Sequence, residues 1–378
     1  MRMEPVWALG LMSGTSFDGV DAACLLTDGE TVSGFGPGAE FPYAPGEMDA
    51  ARAVHRDWRP YRAGTGEAAA LLARAEAEVT EAHAAAAARL LAREGAPAVE
   101  IVGFHGQTVA HAPEAGWTWQ LGRGDLLARG LGREVAWDFR SADMKAGGQG
   151  APLVPFFHHA LARGMADGGG PVCFLNLGGV GNVSWVDPAS ERPETPGTLV
   201  GFDTGPANAP IDDWMQAKFG KSCDFNGEAA AAGRVHEDLL ARNSVAEWVS
   251  RKPPKSLDRN DFAQVMAGME GLSPEDGAAT LTALAARCAA GAAAHLPRPA
   301  ARWILCGGGR RNPTLARMIA ERVEAEVIPA EAAGLDGGLM EAQAFAWLAV
   351  RVKRGLPLTS PETTGCHAPT PGGRLSRP

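Results

Sequence analysis

The residues with the clearest chemical potential form a glycine- and hydroxyl-rich segment near the start of the chain. Residues 10–21 read GLMSGTSFDGVD. Glycines here allow a tight turn and a close backbone approach to a ligand, while hydroxyls and turn amides can converge on phosphate oxygens. Asp18 and Asp21 supply carboxylates of the kind that hold a hydrated magnesium ion. The segment predicts a phosphate-binding turn, and the alternative is a plain hairpin turn built from the same residue types.

Two further glycine clusters strengthen this prediction. Residues 178–182 (GGVGN) lie between two apolar runs, and residues 307–309 (GGG) lie between a predicted strand and a predicted helix. A flat adenine can lie against such a glycine run. The first turn lacks the GxxxxGK[ST] pattern of a P-loop. Three clusters in this order instead resemble the two phosphate motifs and the adenosine motif of the superfamily that contains actin, heat-shock ATPases and sugar kinases.

Short apolar runs predict the elements that position these turns. Residues 6–12 and 20–26 predict one hairpin, and residues 172–177 and 183–186 predict a second of the same design. The same strand–turn–strand unit begins both halves of the chain, which suggests an internal duplication. Further strands are expected at 31–41, 101–104, 134–138, 199–202 and 302–305, and helices at 66–93, 153–163, 209–219, 276–295, 315–324 and 338–354. The Pro/Thr/Gly-rich tail from residue 357 is expected to be partly ordered at best.

Length and composition set the broad class. A chain of 378 residues predicts two domains that share a cleft. We expect residues 1–168 to carry the first phosphate hairpin and sugar-binding loops, and residues 169–378 the second hairpin, a catalytic aspartate and the adenosine motif. The flexible break at 166–170 is the expected boundary and hinge. With 35 basic and 44 acidic side chains, the net charge of −9 argues against nucleic-acid binding.

Targeting and cysteine signals point to a cytoplasmic protein. The N-terminal apolar run is far shorter than the ~20 residues of a membrane-spanning helix. Six scattered cysteines, without a CxxC pair, predict buried thiols in a reducing compartment. Neither His105 nor His111 has a second ligand at metal-binding spacing, so a zinc site is not expected.

Six segments together resemble one family, anhydro-N-acetylmuramic acid kinase, from about residue 8 to residue 365. They are GLMSGTSFDGVD, FHGQTVAHAP, FRSADMKAGGQGAPLVP, FLNLGGVGNV, GFDTGPANAPIDDW and LCGGGRRNPTL. The resemblance implies an α/β fold of two actin-like ATPase (RNase H-like) domains, with mixed sheets flanked by helices and with nucleotide and sugar in the interdomain cleft. It also implies a cytoplasmic homodimer that uses ATP and Mg²⁺ in peptidoglycan recycling. The implied reaction hydrolytically opens 1,6-anhydro-N-acetylmuramic acid and phosphorylates the freed 6-oxygen, giving N-acetylmuramic acid 6-phosphate.

The resemblance also assigns roles to individual residues. Asp203 matches the family's catalytic aspartate, which activates the attacking water, whereas the motif alone favours a turn-forming aspartate. Arg140 is expected to pair with the lactyl carboxylate of the sugar as a fork, with a surface arginine as the alternative. The expected substrate ligands are His105, Gln107, Thr108, Arg140, Asn208 and Glu341. The expected ATP and phosphate ligands are Gly14, Thr15, Ser16, Phe17, Asp18, Gly19, Val20, Asp21, Gly178, Gly179, Asn182, Gly307, Gly308 and Gly309, with Asp18 and Asp21 holding magnesium through water.

Three positions depart from the family pattern. Phe17 replaces the commoner leucine, Gly181 replaces alanine, and Gly338 stands where an acid is common, which leaves Asp336 as the lone acid beside Glu341. Two other functions remain open at this stage. One is an ordinary hexosamine or hexose kinase on the same fold, and the other is a nucleotide-binding regulator or chaperone-like ATPase without sugar chemistry.

Overall fold

The chain folds into two compact units, each built around one mixed β-sheet. The structure is a computed structural model that describes residues 4–62, 65–165, 169–241, 243–253, 255, 257 and 268–378, with the backbone alone for 243–246. One unit comprises Met1–Gly164 together with Leu339–Pro378, and the other comprises Met165–Gly338. The expected break at 166–170 lies partly outside the described residues.

The chain contains strands, α-helices and short 3₁₀ turns. The strands are β1 Val6–Ser13, β2 Gly19–Thr27, β3 Val32–Pro42, β4 Ile101–Ala112, β5 Trp117–Leu121, β6 Glu134–Trp137, β7 Val172–Leu177, β8 Val180–Val186, β9 Leu199–Pro206, β10 Arg302–Cys306, β11 Glu326–Pro329, β12 Pro357–Thr359, β13 Thr370–Pro371 and β14 Arg374–Ser376. The α-helices are Asp49–Arg56, Arg59–Arg62, Gly66–Leu91, Gly124–Leu131, Ser141–Lys145, Pro155–Gly164, Asn208–Phe219, Glu228–Ala232, Glu237–Leu240, Asn243–Ser250, Pro274–Gly291, Pro313–Ala320, Met340–Arg354 and Pro361–Thr364. Short 3₁₀ turns occupy Pro113–Ala115, Phe225–Gly227, Ala292–His295, Gly308–Arg311 and Ala330–Ala333.

The sheet of the first unit has the strand order β14-β6-β4-β1-β2-β3, with β5 paired to β4. Strands β1, β2 and β3 are antiparallel neighbours, while β4 runs parallel to β1 and β6 parallel to β4. The predicted first hairpin is therefore β1 and β2, and its ladder pairs Met12 with Asp21 next to the turn. Because β4 lies directly beside β1, its carboxyl end reaches the same edge of the sheet as that turn.

The second sheet repeats this arrangement. Its order is β11-β10-β7-β8-β9, with β7, β8 and β9 antiparallel, β10 parallel to β7, and β11 parallel to β10. Five strands of each unit thus share one order and one set of directions, which agrees with the internal repeat expected from the two hairpins. The mixed sheets flanked by helices confirm the predicted α/β class.

Helix Met340–Arg354 belongs to the first unit, although it was expected in the second domain. Helix Met340–Arg354 packs against β1, β2 and β4. Its backbone approaches two glycines so closely that a Cβ on Gly10 would lie 1.7 Å from the carbonyl oxygen of Ala342, and one on Gly103 would lie 2.0 Å from that of Phe345. Gly10, expected to face a ligand, serves this helix–sheet contact instead.

The core of the second unit forms around the alanine-rich helix Pro274–Gly291. Ser273 caps its start by accepting a hydrogen bond from the Asp276 N–H at 3.1 Å, and Pro274 fits the first turn because its missing N–H needs no partner. The helix packs on β9 and on helices Asn208–Phe219 and Pro313–Ala320. Its small side chains permit this close packing on several sides, and strand β9, which carries Asp203, packs directly on the helix.

The C-terminal tail is more regular than the sequence analysis expected. Strand β12 pairs with β13, and β14 adds an antiparallel edge to β6. All six cysteines are free, and five are buried while Cys223 is exposed. Within the described part of the chain, no helix is both long and apolar enough to cross a membrane.

Candidate active site

The first turn is anchored from β4 by Gln107. The Ser13 hydroxyl donates to Gln107 Oε1 at 2.6 Å, and Gln107 Nε2 donates to the carbonyl oxygen of Gly14 at 3.0 Å. Gln107 is fully buried. Both ends of its amide group are therefore engaged by the turn, and Gln107, expected as a sugar ligand, supports the hairpin in this structure.

Phe17 adopts an unusual backbone conformation at the tip of the turn, with φ of +55°. Its ring is 3% exposed and packs against the His55 ring at 5.1 Å. The Arg52 guanidinium lies over the same ring at 5.1 Å, and Arg52 Nη2 donates to the Phe17 carbonyl oxygen. These contacts offset the cost of a left-handed conformation in a residue with a side chain. They also account for an aromatic residue where the family favours leucine.

The remaining side chains of this turn leave oxygen atoms near solvent. Thr15, Ser16 and Asp18 are exposed, Asp21 is partly buried, and the Val20 side chain is buried, so Val20 has only its backbone to offer a ligand. No group of three or more His, Cys, Asp or Glu side chains that could hold a metal occurs among the residues that the structure describes. Two carboxylates near an open turn fit an ion that keeps most of its water, as magnesium does.

The second turn, Gly178-Gly179, connects β7 to β8 and is bonded to the start of helix Asn208–Phe219. The Asn208 N–H donates to the Gly178 carbonyl oxygen at 2.9 Å, and the Asn208 side-chain amide donates to that of Leu177 at 2.7 Å. The Ala209 N–H donates to the Gly179 carbonyl oxygen at 3.2 Å. Asn208, expected to bind the sugar, ties the helix to this turn.

The glycine run at 307–309 packs directly against the second turn. Gly307 has φ of +69° and ψ of −178°, a conformation essentially restricted to glycine. A Cβ there would lie 2.3 Å from Asn176 Oδ1, and one on Gly309 would lie 2.7 Å from Leu177 Cβ. The structure therefore brings the predicted adenosine motif and the second phosphate turn together.

Arg310 holds this loop and was missed by the sequence analysis. Its side chain is 6% exposed, Nη1 donates to the Gly307 carbonyl oxygen at 2.8 Å, and Nε donates to Glu331 Oε1 at 2.8 Å. Arg310 and Arg311 directly follow the three glycines, and this pair was the sequence feature that could have indicated an arginine at the loop. Nearby, Asp336 Oδ1 accepts a hydrogen bond from the Gly338 N–H at 2.9 Å. This bond gives Asp336 a local role in the turn before helix Met340–Arg354.

Asp203 lies in β9, across the ladder from Asn182 of β8. A shift of register separates Gly181 from Asn182, and a Cβ on Gly181 would lie 2.6 Å from Thr204 Oγ1, so the neighbouring threonine accounts for this glycine. The Leu257 N–H donates to Asp203 Oδ2 at 2.9 Å. Asn182 and Asp203, two predicted site residues, are thus neighbours.

The acidity of Asp203 is changed by its surroundings. Burial raises the pKa of this carboxyl from 3.8 to about 7, against the opposing effects of the Leu257 N–H and the Lys255 ammonium. A group with a pKa near the working pH is present in its basic form and still accepts a proton readily. Asp203 therefore has the properties needed to take a proton from a water molecule.

Lys255 is a buried lysine beside Asp203, and no sequence motif indicated its role. It is 4% exposed, and its ammonium donates to the carbonyl oxygens of Trp248 at 3.1 Å and Val249 at 3.4 Å. It also lies over the rings of Trp248 at 5.2 Å and Phe202 at 5.6 Å. Burial lowers the pKa of Lys255. A positive charge in this position favours the ionised form of Asp203.

The first unit carries a polar cluster around Arg140. Arg140 Nη1 donates to the Gly150 carbonyl oxygen at 2.7 Å, and Nη2 lies 3.0 Å from His105 Nε2. Burial lowers the pKa of Arg140 to about 10 and raises the pKa of Glu341, and the two opposite charges attract each other. The structure therefore brings together three of the predicted sugar ligands, His105, Arg140 and Glu341.

His105 is a neutral partner of Arg140. Its pKa lies well below 6.5 because the ring is buried and because the Arg140 charge is close. The ring Nδ1 lies 2.9 Å from the Gly106 carbonyl oxygen, so this nitrogen carries the proton and Nε2 accepts from Arg140. Thr108, the remaining predicted sugar ligand, faces β5, where its hydroxyl accepts from Gln120 Nε2 at 3.3 Å.

Comparison with known proteins gives one consistent result. A family model described as anhydro-N-acetylmuramic acid kinase matches residues 6–376. The protein of that name from Cereibacter sphaeroides is 53% identical over 373 residues, covering 99% of this chain and 96% of its own length. Anhydro-N-acetylmuramic acid kinase 1 from Jannaschia sp. strain CCS1 is 50% identical over 374 residues, with 99% and 96% coverage.

Solved structures are more distant. Component A of the (R)-2-hydroxyglutaryl-CoA dehydratase of Acidaminococcus fermentans is 13% identical, covers 92% of this chain and 98% of its own, and has a TM-score of 0.47. The sequence relatives alone therefore decide the family.

Proposed function

This chain belongs to the anhydro-N-acetylmuramic acid kinase family, and we propose that it is an ATP-dependent kinase of 1,6-anhydro-N-acetylmuramic acid. The proposed enzyme opens the anhydro bridge with water and transfers the γ-phosphate of ATP to the 6-oxygen, giving N-acetylmuramic acid 6-phosphate. This reaction belongs to peptidoglycan recycling. The family match over residues 6–376 supports the substrate, and the raised pKa of Asp203 carries the mechanism.

The proposed first event is attack of water on the anomeric carbon. Asp203 takes a proton from the water while the new carbon–oxygen bond forms. The bond between the anomeric carbon and the bridging oxygen breaks, and the electron pair stays on that oxygen. The Leu257 N–H at 2.9 Å from Oδ2 holds the carboxylate in a fixed orientation. The former bridging oxygen then attacks the γ-phosphorus, the bond between the γ-phosphorus and the β,γ-bridging oxygen breaks, and ADP leaves with that electron pair. Asp203 releases its proton to solvent before the next turnover.

The proposed ATP ligands are the glycine turns and the glycine run. Their backbone amides suit phosphate oxygens, and the second turn and the run at 307–309 pack together in one unit. Gly308 leaves the backbone open, as a flat adenine requires, because a Cβ there would meet no atom closer than Asn208 Nδ2 at 3.7 Å. Asp18 and Asp21 would hold magnesium through water, and the ion would neutralise phosphate charge.

The proposed sugar ligands in the first unit are Arg140 and Glu341. Arg140 stays charged at neutral pH even with its pKa lowered to about 10, and it suits the lactyl carboxylate of the sugar. His105 remains neutral and keeps the guanidinium in place through Nε2. Glu341 balances the buried positive charge and offers an acceptor for a sugar hydroxyl.

One assay separates this reaction from that of an ordinary sugar kinase. ATP and magnesium are supplied with the anhydro sugar, with N-acetylmuramic acid or with N-acetylglucosamine, and ADP release is followed. We expect the anhydro sugar to be turned over fastest. Faster turnover of an open sugar would replace the proposed function by direct hexosamine phosphorylation, and ATP hydrolysis that no sugar accelerates would favour a regulator or chaperone-like ATPase.

A variant of the proposed base tests the mechanism. Asp203→Asn is expected to lower kcat by about 10²–10⁴-fold or more, because it removes the proton acceptor. ATP affinity should be unchanged. Asp238→Asn, the same substitution at an exposed aspartate, is the control and should behave like the unmodified protein. Sugar kinase activity retained in Asp203→Asn would remove Asp203 from this role.

Two further properties that the resemblance implied stay predictions. The protein is proposed to be a cytoplasmic homodimer. Light scattering tests the second property directly, since a dimer has twice the chain mass of 39.4 kDa. A single-chain mass at working concentration would overturn it.

A further inference from the structure

Asp143 is a buried carboxylate that joins two distant parts of the first unit. It lies in the short helix Ser141–Lys145 and is 2% exposed. Its Oδ2 accepts from the Gly150 N–H at 2.7 Å, and its Oδ1 accepts from the hydroxyls of Thr359 at 2.5 Å and Thr364 at 2.6 Å. Both carboxylate oxygens are therefore satisfied, which a buried charge requires.

Gly150 links Asp143 to Arg140. While the Gly150 N–H donates to Asp143, the Gly150 carbonyl oxygen accepts from Arg140 Nη1 at 2.7 Å. An unbroken series of hydrogen bonds thus runs from Thr364 through Asp143 and Gly150 to the guanidinium. Its members lie in one unit and are held to distances of 2.6–2.7 Å.

The C-terminal segment 359–367 contacts this loop through its backbone as well. The Gln149 N–H donates to the Thr364 carbonyl oxygen at 2.8 Å, and the His367 N–H donates to that of Ala146 at 3.0 Å. The His367 ring fills the space beside Gly147, where a Cβ would lie 2.6 Å from it. The loop before Gly150 is therefore held along its length and not only at Asp143.

Arg140 still has a donor to offer. Its Nε is buried and has no hydrogen-bond partner among the residues that the structure describes. Nη1 is occupied by Gly150 and Nη2 by His105. A buried donor left without a partner costs free energy unless a ligand supplies the acceptor. A carboxylate is the acceptor that pairs best with a guanidinium edge.

We propose that Asp143 is a positioning residue for Arg140, and that Thr359 and Thr364 of the C-terminal segment thereby set the preference of this enzyme for sugars that carry a carboxylate. Folding fixes the guanidinium before the sugar arrives, so less conformational freedom is lost on binding. This inference rests on the proposed function, because it takes Arg140 to be the ligand of the lactyl carboxylate.

The test compares two sugars that differ in that carboxylate. Anhydro-N-acetylmuramic acid carries the lactyl group, and 1,6-anhydro-N-acetylglucosamine lacks it. Thr364→Val keeps the side-chain shape and removes the hydroxyl donor. We expect it to raise the KM for the carboxylate sugar roughly tenfold, the equivalent of one charge-assisted hydrogen bond. The inhibition constant of the carboxylate-free sugar and the KM for ATP should change less than about twofold.

Matched variants exclude a general loss of structure. Thr364→Ser retains the hydroxyl and should restore the KM. Thr370→Val makes the same change three residues beyond this segment, where the hydroxyl donates to the Ala368 carbonyl oxygen, and should leave both constants unaltered. Thr359→Val supplies an independent removal of an Asp143 partner if Thr364→Val folds poorly. Equal weakening of both sugars, or a higher KM for ATP, would overturn the proposal.

A double mutant separates this inference from the proposed function. Arg140→Gln should abolish the preference for the carboxylate sugar, and adding Thr364→Val should then have little further effect, because both changes act on one interaction. If Arg140→Gln keeps the preference, the assignment of Arg140 in the proposed function is wrong. If Arg140→Gln loses the preference and Thr364→Val retains it, only the role of Asp143 and the C-terminal segment fails.

Discussion

The backbone N–H of Asp203 donates to the carbonyl oxygen of Lys255 at 3.1 Å, so the proposed base and a buried lysine are joined through the main chain. Two residues later, the Leu257 N–H donates to the Asp203 carboxylate at 2.9 Å. The segment around Lys255 therefore fixes both the backbone and the side chain of Asp203. Burial raises the pKa of Asp203, whereas the Leu257 N–H and the charge of the Lys255 ammonium lower it, and activity should report this balance.

The first prediction concerns the pH dependence of activity. Asp203 must be ionised to accept a proton, and its pKa is about 7. We expect kcat/KM to fall roughly tenfold per pH unit below that value and to level off above it. Initial rates across pH 5 to 9, with binding of ATP measured at each pH as a control, give this profile. A flat profile down to pH 5 would contradict the assignment of Asp203 as base.

The second prediction concerns Lys255→Met. Removal of the ammonium takes away a charge that favours ionised Asp203, so the acidic limb of the profile should move to higher pH. Arg251 and Cys288 also interact electrostatically with Lys255, and neither is altered by the substitution. Lys221→Met, at an exposed lysine, is the control and should leave the limb in place. A uniform loss of rate without movement of the limb would indicate a purely structural lysine.

The third prediction concerns stability. Because the pKa of Asp203 is raised from 3.8 to about 7, the folded protein binds this proton more tightly than the unfolded chain. Asp203 therefore destabilises the fold progressively as pH rises through this interval, and fully above pH 7. We expect Asp203→Asn to be more stable at pH 8 by up to about 4 kcal/mol, and to gain nothing near pH 4. Urea unfolding at the two pH values measures the difference, and an equal effect at both would refute it.

The fourth prediction concerns Gly307→Ala. Its backbone has φ of +69° and ψ of −178°, and an added Cβ would meet Asn176 Oδ1 at 2.3 Å. Strain of this kind costs about 1–3 kcal/mol, and the loop must also move away from the second turn. We expect weaker ATP binding and a lower melting temperature. Gly271→Ala, where no atom lies within 4 Å of the added carbon, is the control. Unchanged ATP affinity in Gly307→Ala would mean that the glycine run at 307–309 does not bind the nucleotide.

Local patterns predicted the parts of the fold that depend on local sequence. Both hairpins and the glycine run stood out because an apolar strand followed by small residues is visible in a short window, whereas the role of Asp203 was expected only from the resemblance to the family. The position of Gln107 was not visible in this way. It faces the first turn because β4 lies beside β1, and that pairing joins residues about ninety positions apart in the chain.

Long-range contacts account for what the sequence analysis missed. Asp143 bonds with threonines more than 200 positions away, and nothing in the local pattern around any of them indicates this. Helix Met340–Arg354 was placed correctly in the sequence but assigned to the other domain. The backbone of this helix lies against Gly10 and Gly103, where any side chain would clash with it.

The first unit is discontinuous, and this has a consequence for biosynthesis. All of Met165–Gly338 leaves the ribosome before the segment Leu339–Pro378 that completes the first unit. The second unit is therefore free to fold while the sheet of the first still lacks its covering helix and the strand β14. Chaperones that bind exposed apolar surface should meet the nascent chain through the N-terminal part of the first unit, and release should follow synthesis of Leu339–Pro378.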